Sequence, residues 1–160
     1  MRGRKHRLPI ENYIGRKSVA FTACLKKRHR ELNDPEIVSS LVSILQEAVE
    51  SQECSVPIYT FMPDHVHILM LGMAPESNLK VAMDQFKAKA GWWTYLNRPY
   101  VKWQEGYWDH IVRAFEGSDA QARYIAGNPC RAGLCQDVFA WPYTGSIGHD
   151  LKEVILDSFW

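Results

Sequence analysis

The segment Tyr59-Thr-Phe-Met-Pro-Asp-His-Val-His-Ile-Leu-Met70 constrains the fold more than any other part of the chain. Two β-rich runs, Val56 to Met62 and His65 to Leu71, meet at Pro63-Asp64. Proline removes an amide donor and aspartate favours turns, so the chain is expected to reverse here into an antiparallel hairpin. Side chains alternate along a strand, which puts His65 and His67 on one face and Val66, Ile68 and Met70 on the other. An isolated hairpin is marginal in water, so the apolar face needs further strands or helices to cover it.

The flanking sequence supplies them. Ser18 to Leu25 carries the β-formers Val19, Phe21 and Thr22 and reads as a first strand. Asp34-Pro35 is a helix start, with Asp as N-cap and Pro in the first turn. Apolar residues from Ile37 to Val49 then recur at helical spacing, so Glu36 to Ser51 is an amphipathic helix. Asn78 caps a second helix running to about Asn97, and Trp108 to Phe115 is a fourth strand. Ser118, with Gln121 three residues on as in a capping box, opens a third helix that ends near Asn128 before Pro129. The order strand, helix, strand, strand, helix, strand, helix is a split βαβ pattern. The expected class is α+β and ferredoxin-like: an antiparallel sheet with helices on one face.

With 160 residues and 46% hydrophobic content, the chain fits one domain with a real core (1–160), flanked by a basic arm (1–16) and a C-terminal extension (135–160). Apolar runs such as Ile68 to Leu71 are too short to span a bilayer. No apolar stretch follows the basic N-terminus, so secretion is not expected and a cytoplasmic setting is. Cys24, Cys54, Cys130 and Cys135 form no Cys-x-x-Cys pair and read as reduced thiols rather than a zinc site. The net charge of +1 hides an asymmetry: residues 1–30 hold ten Lys or Arg against one acid, Glu11, and the rest holds nine bases against seventeen acids. Such an arm suits an anionic polymer, or serves as a solubilising tail.

Two imidazoles side by side on a strand are a ready bidentate seat for a divalent metal, provided the ligating nitrogens are neutral. They can equally be two half-exposed histidines without metal. In the third helix Tyr124 and Asn128 stand at i and i+4, one above the other. A tyrosine hydroxyl is a weak nucleophile near neutral pH, and a metal that polarises a phosphate and steadies the departing oxygen would help it. The Asn128 carbonyl is a hard oxygen donor of the kind Mg²⁺ or Mn²⁺ accepts. The competing reading is a core tyrosine and an asparagine that only ends the helix.

Three blocks, Met62-Pro-Asp-His-Val-His67, Trp103-Gln-Glu-Gly-Tyr-Trp-Asp-His-Ile-Val-Arg113 and Tyr124-Ile-Ala-Gly-Asn-Pro-Cys-Arg-Ala-Gly-Leu134, resemble in order the REP-associated tyrosine transposases, within the single-tyrosine HUH transposases of insertion sequences. The resemblance spans Ser18 to Leu134. It implies a ferredoxin-like sheet with the two histidines on a central strand, Mg²⁺ or Mn²⁺ as cofactor, and single-stranded or hairpin DNA as substrate. It also implies a 5′-phosphotyrosine intermediate with a free 3′-OH. His65 and His67 match the metal pair, Tyr124 the nucleophile, and Asn128 the polar residue one turn beyond. Relatives occur as monomers and as homodimers, and both states stay open.

Candidate DNA contacts are Arg2, Arg4, Lys5 and Arg7 in the arm, Lys26, Lys27 and Arg28 after the first strand, and Lys87, Lys89 and Trp92 on the second helix. Bases beside aromatics are what single-strand binding uses, although at least one of Trp92 and Trp93 is expected in the core. Asp109 and His110 read as structural, with Asp109 able to orient a histidine. Two other functions remain: a catalytically silent protein that holds DNA or RNA hairpins, and a metal-dependent hydrolase of small substrates, which would leave the basic arm unexplained.

Overall fold

The computed structural model describes residues 7–113 and 117–156. Arg2, Arg4 and Lys5 of the arm, and Phe115 at the expected end of the fourth strand, lie outside the described residues. Five antiparallel strands form one sheet: β1 (Ser18–Cys24), β2 (Cys54–Met62), β3 (His65–Gly72), β4 (Trp108–Ile111) and β5 (Thr144–Ile147), in the order β4-β1-β3-β2-β5. β3 sits between β1 and β2, which is the split βαβ arrangement expected from the element order. The Pro63-Asp64 turn sets the hairpin register, pairing Met62 with His65.

Helix α1 (Pro35–Ser51) begins where Asp34 accepts from the Glu36 and Ile37 amides, and buries Ile37, Leu41, Leu45 and Val49. Helix α2 (Leu79–Asn97) begins where Asn78 accepts from the Val81 amide and buries Leu79, Met83 and Phe86. Both pack on the sheet face that carries Val66, Ile68 and Met70, forming the larger core cluster. Three shorter helices follow: α3 (Ser118–Ala126), α4 (Asn128–Arg131) and α5 (Leu151–Ile155).

The α+β, ferredoxin-like class holds, with one difference in how the helices are layered. Ala122, Ile125 and Ala126 of α3, and Val154 of α5, pack with Ile58 and Leu69 on the opposite face. Helices therefore lie on both faces rather than one. The reason is that β2 is buried almost throughout, including both faces of Val56 to Ile58, so its second face also needs a cover. Strand β5 and helix α5 were not expected. β5 has two glycine or serine positions in four, too short and weak a β-pattern to stand out. Ser118 also caps nothing: Gly117 is the N-cap, and the Ser118 hydroxyl bonds that of Ser18 at 2.9 Å. No described helix is long and apolar enough to cross a membrane.

Candidate active site

Because β3 is central, His65 and His67 are held between two paired strands, and their side chains emerge on the face covered by α3. Their Nε2 atoms stand 3.0 Å apart, with ring planes nearly perpendicular at 87°. Each Nδ1 has its own partner. His65 Nδ1 lies 2.6 Å from Asp64 Oδ1, and His67 Nδ1 lies 2.9 Å from the Thr22 hydroxyl. A proton on either Nε2 joins the two rings as a hydrogen bond; with both Nδ1–H groups donating to those oxygens instead, the two Nε2 lone pairs face one another across 3.0 Å, an arrangement that a cation between them would relieve. Thr22 reaches its histidine because β1 pairs it directly opposite His67. Asp64 is gripped from the other side by Arg28, Nε to Oδ2 at 2.9 Å.

The electrostatics favour ligation. Burial holds both rings below the ordinary imidazole range. His67 is lowered to about 3, first by burial and then by the charges of His65, Arg131 and Arg28. For Asp64, burial acts upward, but the hydrogen bonds and charges of His65 and Arg28 outweigh it and hold the carboxyl below its usual range. The pair is therefore neutral at neutral pH, as metal capture requires.

Two neutral imidazole nitrogens are borderline donors that could hold an octahedral divalent ion only with oxygen ligands completing its shell, and among the described residues no third His, Cys, Asp or Glu joins them. Two cis ligands at about 2.1 Å from such an ion stand about 3.0 Å apart, which is the Nε2 separation found. A carboxylate and a hydroxyl on the two Nδ1 atoms are the outer partners that ligating histidines use.

Tyr124 lies on α3. Ala122, Ile125 and Ala126 turn inward, and Tyr124 is left 59% exposed on the helix flank. It lines a cleft of about 160 Å³ together with Thr22, His67, Trp108, His110 and Gln121. Tyr124 and one histidine of the pair thus share a cavity.

Asn128 is not on the same helix as Tyr124. α3 stops at Ala126, Gly127 follows, and α4 starts at Asn128, because Pro129 has no N–H to continue the ladder. The Tyr124 carbonyl is taken instead by the Arg131 guanidinium, which also donates to Asn128 Oδ1 at 2.5 Å and lies 4.0 Å over the Tyr124 ring. Gly127 makes room for this: a Cβ there would come within 2.6 Å of Arg131 Nη1. Arg131 thus ties together the two site residues of this segment and adds positive charge near His67.

The proposed DNA contacts scatter. Lys26 and Lys27 are exposed beside the β1 end that carries His65 across the sheet. Arg28 is paired with Asp64 at 2.9 Å while its side chain stays exposed. Arg7 is not a free arm residue. It pairs with buried Asp109 at 3.0 Å, donates to the Tyr107 carbonyl at 2.8 Å and stacks 3.8 Å over the Tyr107 ring. Lys87 is likewise engaged internally, donating to the Gln104 carbonyl at 2.9 Å over the Trp103 ring. Lys89 faces Glu47 of α1 at 3.8 Å, and Trp92 stacks on Tyr95 at the outer surface of α2. Those three sit with the helices on the face opposite the histidines. Trp93 packs partly into the core, as expected for one of the two tryptophans. Asp109 orients Tyr13 (2.6 Å) and Arg7 rather than a site histidine.

Sequence reasoning gives Thr22, Asp64, Gln121 and Arg131 no role at the site. Asp64 adjoins the histidines and could have been found as a carboxylate flanking His-x-His. Thr22 and Arg131 depend on cross-strand register and on the bend at Gly127.

The comparisons with known proteins agree with this fold. The family model described as "Transposase IS200 like" matches residues 16–128. A Haemophilus influenzae protein described as a proposed REP-associated tyrosine transposase is 26% identical over 154 residues, covering 88% of this chain and 85% of its own length. The fold matches a REP-associated tyrosine transposase solved bound to a REP hairpin, with TM-score 0.71 at 19% identity, over 88% of this chain and 81% of that one. It also matches a Deinococcus radiodurans protein described as a transposase, with TM-score 0.52 at 19% identity, over 80% and 96% of the two chains. A match over more than half the chain, on the stretch that holds the histidine pair, Tyr124 and Asn128, makes this protein a member of the IS200-like transposase family.

Proposed function

We propose that this transposase cuts and rejoins single-stranded DNA at hairpins by transesterification, with Tyr124 as nucleophile. One observation carries the reading: His67, whose Nε2 converges on that of His65, lines the same cleft as the Tyr124 hydroxyl-bearing side chain. The relative solved with a REP hairpin supports a hairpin substrate of that kind.

In the first step the Tyr124 oxygen attacks the phosphorus. The Tyr–O–P bond forms, the bond from phosphorus to the 3′ oxygen breaks, and the phenolic proton is lost to solvent. The 3′ oxygen leaves and takes up a proton, giving a 5′-phosphotyrosine and a 3′-OH. In the second step a 3′-OH attacks that phosphotyrosine, restoring the diester and the phenol. Mg²⁺ or Mn²⁺ held by His65 and His67, with Asn128 as a third ligand, would supply charge neutralisation on the phosphate. Asp64 and Thr22 fix the two imidazole tautomers. Arg131, 4.0 Å over the Tyr124 ring, is placed to steady negative charge as it develops at the cleft.

The Arg131 contact to Asn128 also favours a second reading, in which the third ligand stays engaged and the protein only holds hairpins. Incubating the protein and Mn²⁺ with a hairpin oligonucleotide, followed by denaturing electrophoresis, separates the two. A covalent adduct that disappears in the Tyr124→Phe variant is expected. An adduct formed by Tyr124→Phe removes Tyr124 as nucleophile, and tight binding with no adduct in any metal selects the binding-only reading.

A further inference from the structure

A second set of basic side chains gathers just after β1, whose last residue, Cys24, pairs across the sheet with His65. After Leu25 the chain turns through Lys26, Lys27 and Arg28, and Lys27 (φ 56°) and Arg28 (φ 55°) are both left-handed. Residues with a Cβ avoid that region, and two in succession is a costly arrangement that local sequence does not favour. Its effect is to split the charges. Arg28 is sent to Asp64, beside His65. Lys26 and Lys27 line a cleft of about 230 Å³ with His29, Tyr100 and Lys102.

The far wall of that cleft is pinned to the near one. The Lys26 amide donates to the Lys102 carbonyl at 2.7 Å, the Gln104 amide to the Cys24 carbonyl at 2.9 Å, and the Gln104 side chain to the Leu25 carbonyl at 3.2 Å. Leu25 and Trp103 form a β-bridge between them. The cleft is therefore preformed. Three lysines line it, and none of its described lining residues is acidic. Like charges gathered on fixed backbone raise the local potential and suit an anion. Tyr100 is 53% exposed and adds a ring face to the same wall.

We infer that this cleft is a nucleotide subsite. Lys26, Lys27 and Lys102 hold backbone phosphates, and Tyr100 stacks on one unpaired base of the strand that leaves the scissile position. Charge along a groove with an aromatic platform is how single strands are bound without sequence readout, and a paired base could not offer its face. The path is short, because Lys27 of the cleft and Arg28 beside Asp64 are consecutive residues. The inference rests on the single-strand reading above and gives that strand its first contact beyond the reacting phosphate.

Metal-free binding tests it separately from cleavage. Fluorescence anisotropy with a labelled single-stranded oligonucleotide in EDTA, across a salt series, is the measurement. Lys102→Gln is expected to lower the slope of log affinity against log salt by about 0.7, the value for one phosphate contact on a single strand. Tyr100→Ala should weaken binding about tenfold with the slope unchanged, and Tyr100→Trp should retain it. A 5-iododeoxyuridine placed next to the cleavage site should photo-crosslink to Tyr100. Wild-type affinity and slope in both Lys102→Gln and Tyr100→Ala would overturn the subsite, whatever the nicking assay gives. Equal losses on fully paired duplex would overturn the stacking role. If these variants lose single-strand binding while no protein forms the tyrosine adduct, the subsite stands and the nicking proposal falls.

Discussion

Replacing Asp64 by asparagine is the sharpest probe of the histidine pair. One carboxylate does two things: Oδ1 holds His65 Nδ1 at 2.6 Å, and Oδ2 holds Arg28 Nε at 2.9 Å. Asparagine keeps an acceptor oxygen but loses the charge, which roughly halves the strength of the hydrogen bond that fixes the tautomer. It also leaves the Arg28 guanidinium, 3.3 Å from His65 Nδ1, without its counter-charge beside the seat proposed for a divalent ion. Both effects weaken metal capture. Losing an outer partner of a ligating histidine costs about 10–100-fold in affinity, or about 1.4–2.7 kcal/mol. With two effects of one sign, Asp64→Asn belongs near the upper end, about 100-fold. Thr22→Val removes only a neutral partner from His67 and belongs near the lower end, about 10-fold. Calorimetric titration with MnCl₂ in the absence of DNA reads both values independently of catalysis. Folded Asp64→Asn protein that binds Mn²⁺ within threefold of the unchanged chain, or that binds it more tightly than Thr22→Val, would refute this account of how the pair is held.

Three further outcomes follow from the same structure. His67 is lowered to about 3 in the fold, whereas its unfolded value is 6.5, so the stability it contributes is present above pH 6.5 and lost as pH falls from there toward 3. In metal-free protein, urea midpoints should show a drop in stability between pH 7.5 and 4.5 that is about 2 kcal/mol smaller in His67→Gln; equal drops would show that this ring is not held neutral by burial. Asp109→Ala removes the partner of Arg7 (3.0 Å) and Tyr13 (2.6 Å) from a site only 5% exposed, so urea unfolding should report a loss of about 3–5 kcal/mol, and a loss under 1 kcal/mol would show that the network carries no stability. Gly127→Ala, at a backbone conformation alanine can adopt, should stabilise the chain by about 0.4–1 kcal/mol yet push the Arg131 guanidinium from its seat over Tyr124, because the new Cβ would lie 2.6 Å from Arg131 Nη1. Its signature is an unchanged or higher Tm together with a slower covalent step, and an unchanged step rate would show that Arg131 is not a positioning residue.

What the sequence determined by itself is what depends on near neighbours. Asp34 before Pro35 marks a helix start whatever the fold, because the cap bonds reach only two and three residues ahead. Pro63-Asp64 reverses the chain within two residues, and strand alternation then places His65 and His67 together on one face. From that spacing came the juxtaposed histidine pair, and from the order of elements the split βαβ sheet. The family resemblance, not the pattern, connected these residues to DNA.

The tertiary structure decided everything that rests on distant pairing. Thr22 meets His67 across 45 residues only because β1 and β3 adopt one register. Arg7 reads as a free basic arm residue until Asp109, 102 residues away, is brought beneath it. Strand β5 is recognisable only as the edge that β2 accepts, and the second helical layer only as the cover that a doubly buried β2 requires. The histidine pair was legible because its geometry is local, two residues apart on one strand. Its outer partners and the Arg131 bridge were not, because a hydrogen bond between chain-distant groups leaves no mark on either local sequence.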